Sequence, residues 1–314
     1  MTQRNDLYSR RSVLAAITSA SASLASLSSG VAWGQSDERI VVSGASGNLG
    51  GLTVEALLAR GVPASRLILV SRTTDALASY AERGASVRFG DFTQPESLPL
   101  AYRGGNRMLL ISVGGIGDAS ATQLLSRAIN AAKDVGVAHI AYTSYIGISR
   151  GDTAGRAADH QATETALRES GVAWTMLRNS IYMNRLVGEA ARMIADGRAV
   201  IPPNESPIGY ITREDCGRAA AAALTSPGFE GRALDLTGPD LIGVRDTARV
   251  ATAVTGRSIE VVQGGADARP GFGRPAMAFT STHFEELTGQ PPTSLRELFE
   301  GNTDALLTPP PQRR

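Results

Sequence analysis

Side chains able to move a proton are sparse in this chain. Lys133 is its only lysine, Cys216 its only cysteine, and the three histidines are His139, His160 and His283. A tyrosine with a lysine one helical turn later would deliver a proton to a developing alkoxide. That pair cannot form here: Tyr142 is followed at this spacing by Ile146, Tyr145 by Ser149 and Tyr182 by Leu186. Reduction of an ordinary ketone is therefore disfavoured. His160 and Glu164 are four residues apart and share a face of any helix that carries them. They read equally well as a proton relay, with His160 beside a substrate, or as a local hydrogen-bonded pair that orders a helix start. His139 falls in an apolar run and His283 near a predicted helix, neither with a ligand cluster at metal spacing, so no metal site is indicated. One cysteine excludes an intramolecular disulfide, and Cys216 reads as a small apolar residue in a helix.

The stretch that could position such groups runs over residues 39–60. Ile40, Val41 and Val42 make a short apolar run, and Gly44-Ala45-Ser46-Gly47-Asn48-Leu49-Gly50 then turns the chain into a helix. Gly44 permits the tight turn, Gly47 removes a side chain where a diphosphate must approach the backbone, and Gly50 lets helix and strand come close. The helix start offers unpaired N–H groups and the positive end of a dipole to phosphate. Leu49, Leu52, Ala56 and Ala59 recur at the spacing of one helical face and predict the side that packs on the strand. The spacing is G-x-x-G-x-x-G, and three glycines among 34 also fit a plain strand-to-helix turn. Dinucleotide binding is favoured because features downstream agree with it.

Further strand-like runs at 66–71, 87–90, 107–113, 138–143 and 173–177 alternate with predicted helices at 75–83, 121–135 and 155–170. This alternation predicts parallel pairing through right-handed crossovers, hence an α/β fold built on a doubly wound parallel sheet of the NAD(P)-binding Rossmann type. Ligands of such sheets lie beyond the carboxyl ends of the strands. The second run ends at Ser71-Arg72, where an NAD binder usually places an acid. Arg72 instead suits a 2′-phosphate and predicts NADP(H) over NAD(H). It also reads as a solvated arginine beside a helix capped by Thr73 or Thr74, with Asp75 close by. The third run ends at Asp91-Phe92 and the fourth at Ser112-Val113-Gly114-Gly115, where small residues leave room for a nicotinamide ribose.

At this point a resemblance becomes specific. The glycine turn, the run His139-Ile140-Ala141-Tyr142-Thr143-Ser144, the segment His160-Gln161-Ala162-Thr163-Glu164 and the run Leu177-Arg178-Asn179-Ser180-Ile181-Tyr182-Met183-Asn184 together resemble the NmrA-like family of atypical short-chain dehydrogenase/reductases. The likeness is greatest to its NAD(P)H:quinone oxidoreductase type 2 group. It extends from residue 39 to about 307, and the stretches 210–215 and 284–289 fit the same pattern. It implies that Gly44, Ser46, Gly47, Asn48, Leu49, Gly50, Arg72, Ser112 and Thr143 hold NADP(H), with Asp91, Phe92, Val113, Gly114 and Ser144 at the adjoining strand ends. It places the substrate pocket against Tyr145, Asn179 and Tyr182. It also implies a domain over 35–307, with a nucleotide half over about 35–182 and a smaller C-terminal substrate-binding lobe mainly over 183–307.

A quinone is a stronger electrophile than a ketone. Its reduction takes a hydride from the nicotinamide and protonation of a stabilised oxyanion, so orientation becomes the main contribution of the protein. One donor, Asn179 or Tyr145, could satisfy that oxygen, with His160 as the relay. Two readings follow: an NAD(P)H-dependent reductase of a quinone or similar electron-poor carbonyl, or a non-catalytic NADP(H)-binding redox sensor. The missing tyrosine–lysine pair fits both, whereas the sequence offers no obvious partner-docking segment for the second.

A net charge of +1 gives no reason to expect nucleic acid or a membrane surface as partner. The expected partner is a small quinone-like molecule, with a homodimer left open. The first 34 residues read as an address: Ser9-Arg10-Arg11-Ser12-Val13-Leu14, a weakly apolar stretch to about Val31, then Ala32-Trp33-Gly34. This resembles a twin-arginine export signal, cleaved after Gly34 or Ala32, and predicts a periplasmic protein. An ordinary secretory signal is the nearer competitor, because seven serines between Ser12 and Ser29 make a poor membrane span. Export removes the NADPH pool, so an exported protein must keep its nucleotide tightly bound; with a vestigial signal, catalysis is cytoplasmic. Past 182, a helix over 183–197 is expected to be broken by Ile201-Pro202-Pro203, and Thr212 with Asp215 to cap an alanine-rich helix running to Thr225. Another helix is predicted at 245–255, a glycine- and proline-interrupted loop at 263–276, helical turns at 284–287 and 295–307, and a disordered tail at 308–314.

Overall fold

Runs such as Ile40-Val41-Val42 and Leu67-Ile68-Leu69-Val70 are buried at every position, as strands covered on both faces must be. The computed structural model describes residues 37–265 and 273–308. The stretch read as an export signal, the middle of the 263–276 loop and nearly all of the 308–314 tail lie outside the described residues. In chain order the elements are β1 (Ile40–Ser43), α1 (Asn48–Ala59), β2 (Leu67–Ser71), α2 (Ala78–Glu82), β3 (Ser86–Phe89), α3 (Leu98–Tyr102), β4 (Arg107–Leu110), α4 (Ala121–Asp134), β5 (His139–Tyr145), α5 (Arg156–Glu169) and β6 (Ala173–Asn179). There follow α6 (Arg185–Asp196), β7 (Arg198–Ile201), α7 (Arg213–Thr225), β8 (Arg232–Leu236), α8 (Val244–Thr255), β9 (Glu260–Gln263), α9 (His283–Thr288), α10 (Leu295–Glu300) and α11 (Thr303–Leu307).

Seven strands form one parallel sheet in the order β3-β2-β1-β4-β5-β6-β8. The order reverses between β1 and β4, which opens a crevice at their carboxyl ends. Side chains alternate across the sheet: Ile40 and Val42 join a core with Leu57 of α1 and Ala220 of α7, while Val41 faces the opposite core with Leu125 and Ala128 of α4. A third cluster unites Met183 and Leu186 with Val250 of α8 and Phe299 of α10. Residues past 182 are thus divided between this cluster and the main sheet, which α7 covers and β8 extends.

Several boundaries differ from the sequence reading. The buried stripe of α1 is Leu49, Gly50, Thr53, Val54 and Leu57; of the predicted face Leu49 is buried, Leu52 and Ala56 are half-buried and Ala59 is exposed. The helix is covered twice, by the sheet and by α7, and Leu52 is the residue that meets Gly217 of α7. Gly197, at φ 63°, ends α6 before the prolines are reached, and the chain continues straight into β7. β7 pairs with β9, and β8 joins the main sheet; none of the three was expected, because each is short and interrupted by charged or exposed positions. β4 stops at Leu110, whereas β5 and β6 run on together to Tyr145 and Asn179. The predicted cap does form: the Thr212 side chain accepts from the Asp215 N–H, and Cys216 is buried in the helix behind it.

Two adjacent glycines in α1 make opposite predictions. A Cβ on Gly50 would lie 2.2 Å from the Gly44 carbonyl oxygen, whereas one on Gly51 meets nothing within 4 Å. Gly50→Ala should destabilise the protein by roughly 1–3 kcal/mol, as overpacking against backbone does. Gly51→Ala should stabilise it by up to about 1 kcal/mol through helix propensity. Chemical denaturation of the two variants checks this.

Candidate functional site

The glycine turn closes the amino end of α1 at the crevice. Gly44 adopts φ +90°, and the N–H groups of Gly44 and Ala45 both bond to the Val70 carbonyl. No side chain caps α1, no acid occupies its first turn, and Ser46, Gly47 and Asn48 are exposed. Leu49 and Gly50 are buried beneath them. An uncapped helix start with free N–H groups fits a diphosphate. Side chains at Gly47 and Gly50 would crowd the Gly44 carbonyl, so the bare turn is a geometric requirement. Ser46 Oγ lies 2.6 Å from Ser71 Oγ, which joins the turn to the end of β2, where Arg72 is exposed. Arg72 has no hydrogen-bond or ion-pair partner among the described residues.

Asp91 and Phe92 follow β3 at the edge of this region. The Asp91 carboxylate accepts from the Thr93 N–H and hydroxyl, holding its own turn, and Phe92 packs half-buried on the core. The structure therefore engages both locally. Ser112, Val113 and Gly114 lie in the loop past β4, not in the strand. The Ser112 N–H donates to Thr143 Oγ1 at 2.8 Å, replacing the ladder bond lost where β4 stops.

Beyond the ends of β4, β5 and β6 lies a cleft of about 280 Å³. Ser112, Thr143, Ser144, Tyr145, His160, Asn179 and Tyr182 all line it, together with Arg156, Ser180, Ile181, Arg185 and Arg213. Tyr145 and Asn179 are direct register partners at its floor. Val113 and Gly114 line a neighbouring cavity of about 220 Å³ that shares Ser112, Arg156 and His160 with the cleft. The His160 ring stacks on Tyr145, with centroids 5.6 Å apart and planes 12° apart, and its Nδ1 lies 2.8 Å from the Tyr142 hydroxyl. Arg274, from the far end of the chain, donates to Asp152 at 3.1 Å and reaches the Tyr145 hydroxyl at 3.5 Å.

His160 and Glu164 do not hydrogen-bond to each other. Glu164 has no exposed surface, and its carboxylate accepts from Ser144 Oγ, from both Nε and Nη2 of Arg178, and from Arg168. Burial alone would push this carboxyl up, but these donors together hold it below the usual carboxylate value. Burial pushes His160 down to about 4, against the opposing pull of Glu164 and Asp159, so its ring is neutral at pH 7. Burial likewise raises Tyr142, whose phenol stays protonated, and raises Tyr182 to about 12. His139 bonds to Thr175 and His283 accepts from the Asp235 N–H, so both serve the fold. Among the described residues no cluster of histidine, cysteine and carboxylate groups could hold a metal ion, and no helix is long and apolar enough to cross a membrane.

Sequence reasoning missed Arg156, Arg185 and Arg213 in the cleft, Ser180 beside Asn179, and the donors around Glu164. Each arginine opens a helix, so the signal becomes visible only when helix starts are known to converge.

A seven-stranded parallel sheet with a bare glycine turn at its crevice defines a Rossmann-type pyridine-nucleotide protein. A family model described as NAD(P)H-binding matches residues 44–227, more than half of the chain. The chain belongs to this NmrA-like family and is an NAD(P)H-dependent oxidoreductase. Quinone oxidoreductase 2 of Escherichia coli (strain K12) is 32% identical over 222 residues, 70% of this chain and 76% of that protein. An NAD(P)H azoreductase of Xenophilus azovorans is 27% identical over 71% of this chain and 76% of its own length. The crystal structure of Citrobacter sp. triphenylmethane reductase complexed with NADP(H) matches with a TM-score of 0.76 at 29% identity, over 84% of this chain and 99% of that one.

The neutral histidines set a pH dependence. The unfolded chain takes up a proton at His160 and at His139 near 6.5, while the folded chain resists until about 4. Stability should therefore be independent of both above the ordinary histidine range and fall as pH drops from 6.5 towards 4. The decline should be at most about 1.4 kcal/mol per pH unit for each histidine. Urea unfolding at stepped pH should show His160→Gln losing its share of this slope; an unchanged slope would mean that His160 is charged in the folded state.

Proposed function

We propose that the chain transfers a hydride from NADPH to a quinone or similar electron-poor carbonyl held between Tyr145, Asn179 and Tyr182. The observation that carries this reading is the Tyr145–Asn179 register pair, which sets two polar side chains at the floor of a cleft shared with Ser112 and Thr143. A bound reduced nicotinamide supplies the hydride. What remains for the protein is to orient the acceptor and to meet its oxyanion. Asn179 is buried, its side-chain oxygen has no partner among the described residues, and its amide bonds to the Tyr182 hydroxyl, so the two side chains present their polar ends together and can meet a ligand oxygen there. Tyr182 stays protonated and is a second donor. His160, neutral and held at Nδ1, leaves its other ring nitrogen for a relay. A resonance-stabilised oxyanion needs no more than this, which agrees with the absent tyrosine–lysine pair. The quinone oxidoreductase and azoreductase relatives support an electron-poor acceptor.

Arg72 supports NADP(H) over NAD(H). It is exposed at the end of β2 and joined through Ser71 and Ser46 to the glycine turn, and its planar fork suits a 2′-phosphate.

Following the reduced-nicotinamide absorbance while simple quinones are added tests the activity. Oxidation is expected; tight binding without it would favour the redox-sensor alternative. Asn179→Ala should lower kcat on the order of a hundredfold, as loss of one oxyanion donor does, with little change in the Kd for NADPH. The reverse pattern would show that the pocket lies elsewhere. Arg72→Ala should weaken NADPH roughly tenfold and leave NADH unaffected; equal affinities in the parent protein would remove the role given to Arg72.

A further inference from the structure

Three helices begin with an arginine, and all three starts meet in one cleft. Arg156 opens α5, Arg185 opens α6 and Arg213 opens α7, and each lines the cleft beside Asn179. A helix start already carries positive partial charge, so helix stability alone favours acids there. Two of the acids of these first turns are committed elsewhere: Glu214 accepts from Asn184, and Asp215 from Arg218 and Thr293. The third, Asp159, faces the neighbouring cavity that Arg156 also lines. No carboxylate of the described residues lines the cleft itself. Arg185 is paired with Glu189. Arg156 and Arg213 are ion-paired with no described carboxylate, and Arg213 lies over the Tyr182 ring, 5.0 Å from its centroid. A second observation also points to a ligand. Ser180 is 4% exposed and Asn179 6% exposed, and the Ser180 hydroxyl and the Asn179 side-chain oxygen have no partner among the described residues. Buried polar atoms are seldom left unmet.

We propose that this cleft takes an aromatic acceptor bearing an anionic substituent, a carboxylate or sulfonate, with Arg156 and Arg213 as specificity-determining residues. The proposal rests on the reductase reading and adds the charge of the substrate to it. The guanidinium fork matches the paired oxygens of such a group, and the Tyr182 ring under Arg213 offers a face for the aromatic body. The phosphates of the nucleotide have seats of their own at the glycine turn and Arg72, so they do not account for this charge.

The test compares 1,4-naphthoquinone with its 2-sulfonate as acceptors. In parallel, the binding of naphthalene-2-sulfonate and of the neutral 2-naphthalenemethanol to NADP⁺-loaded protein is measured. The sulfonates should be preferred in both assays, and the preference should shrink with added salt. Arg213→Gln and Arg156→Gln should each reduce the anionic-to-neutral ratio roughly fivefold to tenfold. Equal handling of anionic and neutral probes by the parent protein, or an unchanged ratio in both variants, would overturn the proposal. Loss of nucleotide affinity with both acceptors affected equally would overturn it as well, assigning the arginines to the cofactor. Selective binding of the naphthalene sulfonate without any quinone turnover would sink the reductase reading and leave the charge preference standing. Efficient reduction of the neutral quinone without sulfonate preference would do the opposite.

Discussion

A carboxylate with no access to water has to be met by donors on every side, and Glu164 is such a group. Its four hydrogen bonds come from β5 through Ser144, from β6 through Arg178 and from its own helix through Arg168. Ser144 precedes Tyr145 and Arg178 precedes Asn179, so one buried ion fixes the ends of both strands that floor the cleft. Breaking such an arrangement leaves an uncompensated charge, which is worse than never having buried one. The cleft therefore inherits its rigidity from a group that does not line it.

The glycine turn rests on the opposite device, the removal of side chains. At the turn after β1, backbone meets backbone closely enough that a single Cβ would collide, and the helix start is left uncapped. The two halves of the site thus have different physics. One is a bare surface of N–H groups and positive dipole suited to phosphate; the other is a walled cleft whose polar groups are aimed by burial and ion pairing.

How far this could be read from sequence follows from that difference. The parallel sheet and the glycine turn were legible because continuous apolar runs and a glycine-spaced helix start are local patterns. The cleft was only partly so. Tyr145, Asn179, His160 and Tyr182 were found, but the pairing of Tyr145 with Asn179 depends on two strands running on past their apolar stretches. The fate of Glu164 was open because spacing of four residues says only that two side chains share a face. In the structure Glu164 turns away from His160 towards the strands, and His160 turns to Tyr142 and Tyr145. β7, β8 and β9 were missed because charged positions such as the half-buried Arg232 and Asp235 hide a short strand at a sheet edge. The face of α1 was misassigned because α7, more than 150 positions downstream, covers a second side of it.

Arg274 reaches the Tyr145 hydroxyl from beyond residue 227, where the match to the NAD(P)H-binding family model ends. The cleft proposed for the acceptor is therefore braced, through Tyr145, by a stretch of chain outside the matched segment. An exchange of that late segment alone would therefore reshape the surroundings of Tyr145 and leave the bare turn after β1 untouched.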